Sequence, residues 1–467
     1  MSPLRVLLWL RGSPSDRRFP FRCRAVAAAW LLIPLAYAAC SSPDRDEGAA
    51  SGLPGDGTVP PAIGAGGELD LSPRSADTSL ARLAGELLPG VEQSSRIHAA
   101  RPPALASSSK ENLEGFLSRA LVEQLPEEKA DAVAAVYARL GLLPDTLQLG
   151  PLFRSLLLEQ VVGYYDPRRD TLYVVEDVPE GQLQPILVHE LVHALQDQHT
   201  DLDSLTRSVK DQNDRATAAQ AALEGHATYA MMEWLISSQT GASVDLTTMP
   251  DLGGLLGGLD PSLLAGTPVL RDAPRIVRES LIFPYIGGLV FLQRVWSADR
   301  ARPLPFGADL PESTEQVLHP ERFLGDRDRP SDVVFMEDPP ASWREIHSDG
   351  LGELETRIFL EEHLGDPDAA ATAAEGWDGD RYRLLRDGGR EVLIWASVWD
   401  SERDADEFEE AVGRAFEERY AGDADARAVG VERKQAEGRP VVIVVDAPEG
   451  LAPSSLETAL RFEVQGG

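Results

Sequence analysis

The sequence predicts an α+β protein: a mainly helical domain with a small edge sheet, then a small domain in which antiparallel sheet and helix pack together. Three observations predict it. Helical apolar periodicity recurs from about residue 79 to 297. Within that stretch only residues 163–175 read as strand. Beyond residue 350 the pattern changes to paired strands with one strongly amphipathic helix between the pairs.

The elements follow in order. Helical patterns cover 79–88 and begin again at 109, where Ser108 and Glu111 have capping-box spacing ahead of Leu113, Phe116, Leu117 and Leu121. Further helices are expected over 126–140 and 150–161. Residues 163–175 (GYYDPRRDTLYVV) read as two strands about an Asp166-Pro167 turn. A helix starts near Pro185, a favoured first-turn residue, and a long one covers 211–238. Residues 250–267 are glycine-rich and apolar and read as a mobile loop. A helix over 274–297 is bent at Pro284, and 300–345 is proline-rich and irregular. Strands at 381–386 and 390–399 flank Asp387-Gly388-Gly389; a helix at 402–420, strands at 427–434 and 439–446, and a short helix from Ser454 complete the chain.

A length of 467 residues exceeds one ordinary core, so two folded units are expected with unstructured segments. The division is 1–39, a signal peptide; 40–78, a flexible Gly/Pro/Ser/Asp-rich tether; 79–345, the helical domain; and 346–467, the sheet domain. With 43% hydrophobic and 26% charged residues, the bulk is globular. The net charge is −32, and residues 1–39 carry six arginines against one aspartate. The remainder is therefore more acidic still, which argues against nucleic-acid binding.

Those arginines form a basic head, followed by the apolar stretch Ala25 to Ala39, 15 residues long. That is short for a bilayer span but suits a signal core, so the chain is expected outside the cytoplasm, in the periplasm or cell envelope. Cys40 follows Leu35-Ala36-Tyr37-Ala38-Ala39, which resembles the lipobox of bacterial lipoproteins except at Tyr37. Lipidation of Cys40 would anchor the chain to a membrane; ordinary cleavage after Ala38 is the competing reading. With Cys23 inside the signal, no intrachain disulfide remains.

The chemistry is concentrated in His189-Glu190-Leu191-Val192-His193. Histidines four apart lie on one helix face, so both rings reach one ion, and the intervening glutamate is placed to take a proton from a water at that ion. Ile186, Leu187, Val188, Leu191, Val192, Ala194 and Leu195 make this helix apolar nearly all round, hence buried. Buried polar groups without partners cost roughly 2–7 kcal/mol each. A zinc ion would supply partners, and a catalytic zinc takes three protein ligands. Two third ligands are candidates. Glu224 sits mid-helix among alanines and beside Gly225, small residues that let two helices approach closely. His199 is ten residues after His189; if the helix runs on, it points about 280° away. His226 and Glu233 lie near the opposite side of Glu224's helix and are poorer candidates. A closed structural zinc site would need cysteines the chain does not have.

The segments HELVHALQDQH, LEGHATY, FPYIGGLVFLQRVW and STEQVLHPERF, with GWDGDRY and WASVWD beyond, resemble a group of predicted exported bacterial metallopeptidases of gluzincin type over roughly residues 150–400. The resemblance implies a zincin-like fold, one zinc held by His189, His193 and Glu224, and peptide or protein hydrolysis with Glu190 as the base. It also implies that 171–175 is the substrate-binding edge strand, and that Tyr285 or His319 stabilises the oxyanion. His199 matches the metzincin spacing instead, but Gln196 stands where that family has glycine. The alternative from another class is a non-enzymatic zinc-binding lipoprotein scaffold. Trp377, Trp395 and Trp399 read as core residues rather than a binding platform.

Overall fold

The structure is a computed structural model. It describes residues 74–466 apart from 177, 179, 257–267, 423–426 and 452–458. The signal segment, Cys40, most of the tether, most of the glycine-rich loop and the helix expected from Ser454 lie outside the described residues. The chain is mixed α+β, with a helical region followed by a sheet unit.

Helix α1 (Thr78–Ser95) is capped by Asp77, whose carboxylate accepts from the Ser79 and Leu80 N–H groups. Strand β1 (Ala104–Ser108) follows, then α2 (Lys110–Gln124), α3 (Glu127–Arg139) and α4 (Leu149–Gln160). The cap of α2 is Ser109, which accepts from Asn112 N–H at 3.2 Å, one residue later than the expected Ser108. Ser108 is instead the last residue of β1.

Strands β2 (Gly163–Asp166) and β3 (Thr171–Val175) form the expected hairpin. The expected edge strand is a correction, however. The sheet order is β1-β3-β2, so 171–175 is central and the edges are β1 and β2. The parallel partner, Ala104-Leu105-Ala106-Ser107-Ser108, pairs from Ala104↔Thr171 to Ser108↔Val175. It contains no β-branched or aromatic residue, so it carries no strand signal of its own.

Helix α5 (Glu180–His199) begins before Pro185, which lies inside it rather than at its start. Then come α6 (Leu202–Val209), α7 (Asn213–Thr240) and α8 (Arg275–Ala298), which contains Pro284. Part of the expected loop, Leu252–Leu256, is a short helix. Helices α7 and α8 cross at two glycines. A Cβ on Gly225 would overlap the Gly288 backbone, and one on Gly288 would overlap the Ala221 carbonyl. Among the described helices α8 alone is long and apolar enough to span a membrane, but 67% of its apolar window is buried, so it is a core helix.

The stretch expected to be irregular carries α9 (Thr314–Leu318) and β4 (Asp332–Phe335). The rest is β5 (Arg344–Asp349), α10 (Gly352–Leu364), α11 (Pro367–Ala374), β6 (Trp377–Asp387), β7 (Arg390–Trp399), α12 (Glu402–Arg419), β8 (Arg427–Ala436), β9 (Arg439–Pro448) and β10 (Phe462–Gln465). The main sheet is antiparallel with order β5-β6-β7-β9-β8, and β4 pairs with β10 in a separate ribbon. One sheet face packs on α10 and α12, where Trp399 stacks on Phe408 at 4.4 Å. Val333 and Val464 of the ribbon cover the other face. Trp377, Trp395 and Trp399 are all buried.

The expected boundary at 345/346 falls inside β5. One continuous core runs from Leu113 and Leu117 through Phe291 and Phe359 to Trp395. Polar clamps reinforce the junction. Asp380 on β6 accepts from the Leu351 and Gly352 N–H groups at 2.9 Å each. Asp214 on α7 accepts from Thr314 N–H, and the Thr314 hydroxyl accepts from Leu354 N–H at 3.1 Å. The sheet unit therefore braces the helix that carries Glu224.

Candidate metal centre

Helix α5 is buried along its whole middle, from Ile186 to Gln196. That places His189, Glu190 and His193 in the interior, each with 0% exposure. Helix α7 runs beside α5 with Ala218, Ala219, Ala222 and Ala227 buried, and so brings in Glu224, 2% exposed. Small residues at the contact let the two helix axes close up.

Three lone-pair atoms converge. His189 Nε2 and His193 Nε2 are 3.1 Å apart. Glu224 Oε2 lies 3.1 Å from the first and 3.3 Å from the second. A tetrahedral zinc with bonds of about 2.0–2.1 Å has ligand-to-ligand edges of roughly 3.3–3.4 Å. The observed triangle is one face of such a tetrahedron, slightly contracted. Two imidazoles and one carboxylate are also the donor types zinc takes, so the residues present fit the ion.

The local charges are coupled. Burial disfavours charge on Glu224, but the two histidines outweigh it and hold its pKa at about 2. Burial likewise opposes a charge on His193, yet the Glu224 carboxylate prevails and raises it to about 9. Burial lowers His189, with Glu224 opposing. The site is thus an anion that attracts a positive charge, whether proton or metal.

Glu190 is different. Burial lifts its pKa to about 8. Neither carboxylate oxygen makes a hydrogen bond of normal geometry, and the nearby Tyr165 backbone N–H only partly offsets the burial. Gly163 of β2 is equally close: a Cβ there would stand 3.6 Å from Glu190 Cγ. So β2, not β3, is the edge strand beside the site. Tyr165 Oη, 2.8 Å from both Asp170 and Asp197, ties this hairpin to α5.

The remaining candidates separate. Tyr285 on α8 is buried, and its ring faces that of His189 at 6.2 Å with planes 25° apart. His199 is exposed at the end of α5, its ring edge-on to Phe306, and is not one of the converging donors. It is corrected as a ligand because α5 stays helical through residue 199. His319 is also corrected. Its Nε2 is 2.7 Å from Glu353 Oε1, a clamp to the sheet unit, and no described contact joins it to the His-Glu-His group. Glu233 accepts from Leu246 N–H.

Two residues were not expected to support the site: in the sequence His226 reads only as a poor ligand and Gln196 only as a departure from the metzincin pattern. Gln196 and His226 lie directly behind His193, with Gln196 Oε1 2.8 Å from His193 Nδ1. The one sequence signal was Gln196 itself, a polar residue three positions after His193 on a buried face.

A cleft of about 320 Å³ reaches the site, with His193 and Glu224 among its walls. Pro126, Leu205, Val209 and Leu223 give it an apolar side, and Lys129 stands in its wall.

No curated protein and no solved structure matches the chain. Residues 341–454 match a family described only as a domain of unknown function (DUF8575); the match covers the sheet unit and leaves residues 189–224 outside it.

Proposed function

We propose that this chain is a zinc-dependent peptidase with a zincin-like fold and a glutamate third ligand, acting outside the cytoplasm. The observation that carries the reading is the convergence of His189 Nε2, His193 Nε2 and Glu224 Oε2 within 3.1–3.3 Å beside the buried, weakly hydrogen-bonded carboxylate of Glu190. His189, His193 and Glu224 would hold the ion. A bound zinc supplies Lewis acidity and brings the pKa of a water to about 7.

This chain's own residues do the rest. Glu190 takes a proton from the attacking water and passes it to the nitrogen of the leaving amine, a role that suits a carboxylate whose pKa burial has raised. Tyr285, whose ring lies beside that of His189, would donate to the developing oxyanion. The outer edge of β2 offers main-chain groups for an extended peptide, and the cleft receives its side chains. A pure binding scaffold has no use for Glu190, whose burial is only partly compensated and costs stability. The basic head, apolar core and Cys40 of the first 40 residues support export, with lipid attachment at Cys40.

The test is to load residues 41–467 with zinc, incubate with a diverse peptide pool and map cuts by mass spectrometry. Wild type should cut, and Glu190→Gln should lose at least about a hundredfold in rate while still binding zinc. Zinc-loaded wild type that cuts nothing in any pool would sink the peptidase reading.

A further inference from the structure

A metal-binding imidazole needs one bare nitrogen. The other must carry its proton, and something must keep it there. The histidine atoms alone do not say which nitrogen of His193 is bare. The surrounding carbonyl groups do.

Gln196 Nε2 lies 2.9 Å from the Leu223 carbonyl oxygen. A carbonyl only accepts, so that atom of Gln196 is the NH₂ group and the amide can point only one way. Its oxygen therefore faces His193 Nδ1 at 2.8 Å, and that nitrogen must carry the proton. Nε2, the atom 3.1 Å from His189 Nε2 and 3.3 Å from Glu224 Oε2, is left to bind.

The second amide hydrogen of Gln196 goes to His226 Nδ1 at 2.9 Å. His226 Nε2 is 2.8 Å from the Ser95 carbonyl, so it too is a donor. Every link is buried: Gln196, His226 and Ser95 each have 0% exposure. The chain of donors runs one way, from His193 to Gln196, then on to Leu223, and through His226 to the last residue of α1. Two backbone carbonyls terminate it, and neither can reverse.

We propose that Gln196 and His226 form a positioning relay that locks His193 with its proton on Nδ1, and that the C-terminal end of α1 is consequently part of the metal centre. The metal half of this inference rests on zinc occupying the site. The relay uses a neutral amide where a carboxylate would add negative charge, so it orients His193 without adding charge to the site.

The test combines two readouts on the purified protein. Histidine-ring NMR of metal-free and zinc-loaded wild type should show a His193 Nδ1–H protected from exchange. Competition with a chelating dye should show zinc affinity falling about 10–100-fold in Gln196→Leu. Gln196→Glu keeps an acceptor facing Nδ1 and should restore the protected proton, but it sets an oxygen against the Leu223 carbonyl in place of the amide donor, so the affinity should recover only in part. His226→Phe, which fits between the edges of Trp296 and Phe306, should give a smaller loss, and it keeps the test open if Gln196→Leu fails to fold. A wild type without the protected Nδ1–H, or folded Gln196→Leu and His226→Phe with unchanged zinc affinity, would overturn the relay. Wild type that binds no zinc would overturn the zinc reading and the relay's effect on affinity, while ring NMR at a pH where His193 is neutral would still decide the tautomer.

Discussion

Among the described residues, two clusters each bring ligand atoms of three metal-capable side chains within 4.8 Å of one another. One is His189, His193 and Glu224 between α5 and α7; the other is Glu315, Asp328 and Asp400 where α9 meets the sheet unit. They differ in where the positive charge comes from. In the second, Arg322 already reaches both Asp328 at 2.5 Å and Asp400 at 2.6 Å. That acidic group is built around its own cation. In the first, no arginine or lysine pairs with Glu224 in the described residues; only the histidines approach it. Donor count does not identify a metal site. A set of converging lone pairs that no arginine or lysine occupies, where a proton on His193 is the charge a metal would displace, is the better candidate.

The largest effect should come from breaking the first cluster. His193→Ala removes one of the three proposed ligands and should weaken zinc by more than about a hundredfold. Asp328→Asn should leave both affinity and a stoichiometry of one zinc unchanged. Titration with a competing chelator checks both. Equal losses from the two variants would mean the clusters had been assigned the wrong way round.

The first cluster was largely legible in the sequence because its key spacing is local. His189 and His193 are one helical turn apart, and Glu224 announced itself by the small residues around it. Gly225 has a packing reason, contact with Gly288, that a single sequence suggests but does not identify. The relay was not legible, because Gln196 meets His226 across two helices, 30 residues apart, with no spacing rule to join them. His319 failed for a related reason: its partner Glu353 is 34 residues away, on an element assigned to another unit. The strand order failed because the Ala104–Ser108 segment pairs through backbone alone.

A middle-sized effect should come from Arg322→Ala, which turns the second cluster into something closer to the first. Arg322 and its two partners are each roughly a third exposed or less, so the loss should be about 1–2 kcal/mol, between the values for surface and buried pairs. The Asp328 and Asp400 carboxylates would then stand together beside the buried Glu315 with no cation. Millimolar calcium should raise the melting temperature of the variant and leave wild type unmoved. If calcium stabilises wild type equally, Arg322 is not the charge that occupies that cluster.

The smallest effect separates the clusters by pH, with opposite signs. Glu224 is held at about 2, below the ordinary 4.5, so its contribution to stability is present above pH 4.5 and disappears as pH falls toward 2. Glu315 is pushed the other way, to about 10, first by burial and then by the neighbouring Glu353 and Asp400, against the pull of Arg322. A raised carboxyl favours the fold only while protonated, so its contribution is intact below pH 4.5 and drains away as pH rises toward 10. Its Oε1 lacks a hydrogen-bond partner and the residue is 1% exposed, so an amide in its place would lose little contact. Glu315→Gln should therefore flatten the alkaline side of a plot of melting temperature against pH and leave the acid side as in wild type. A variant that flattens the acid side instead would show that Glu315 is ionised in the folded protein, with Arg322 rather than burial dominating its charge.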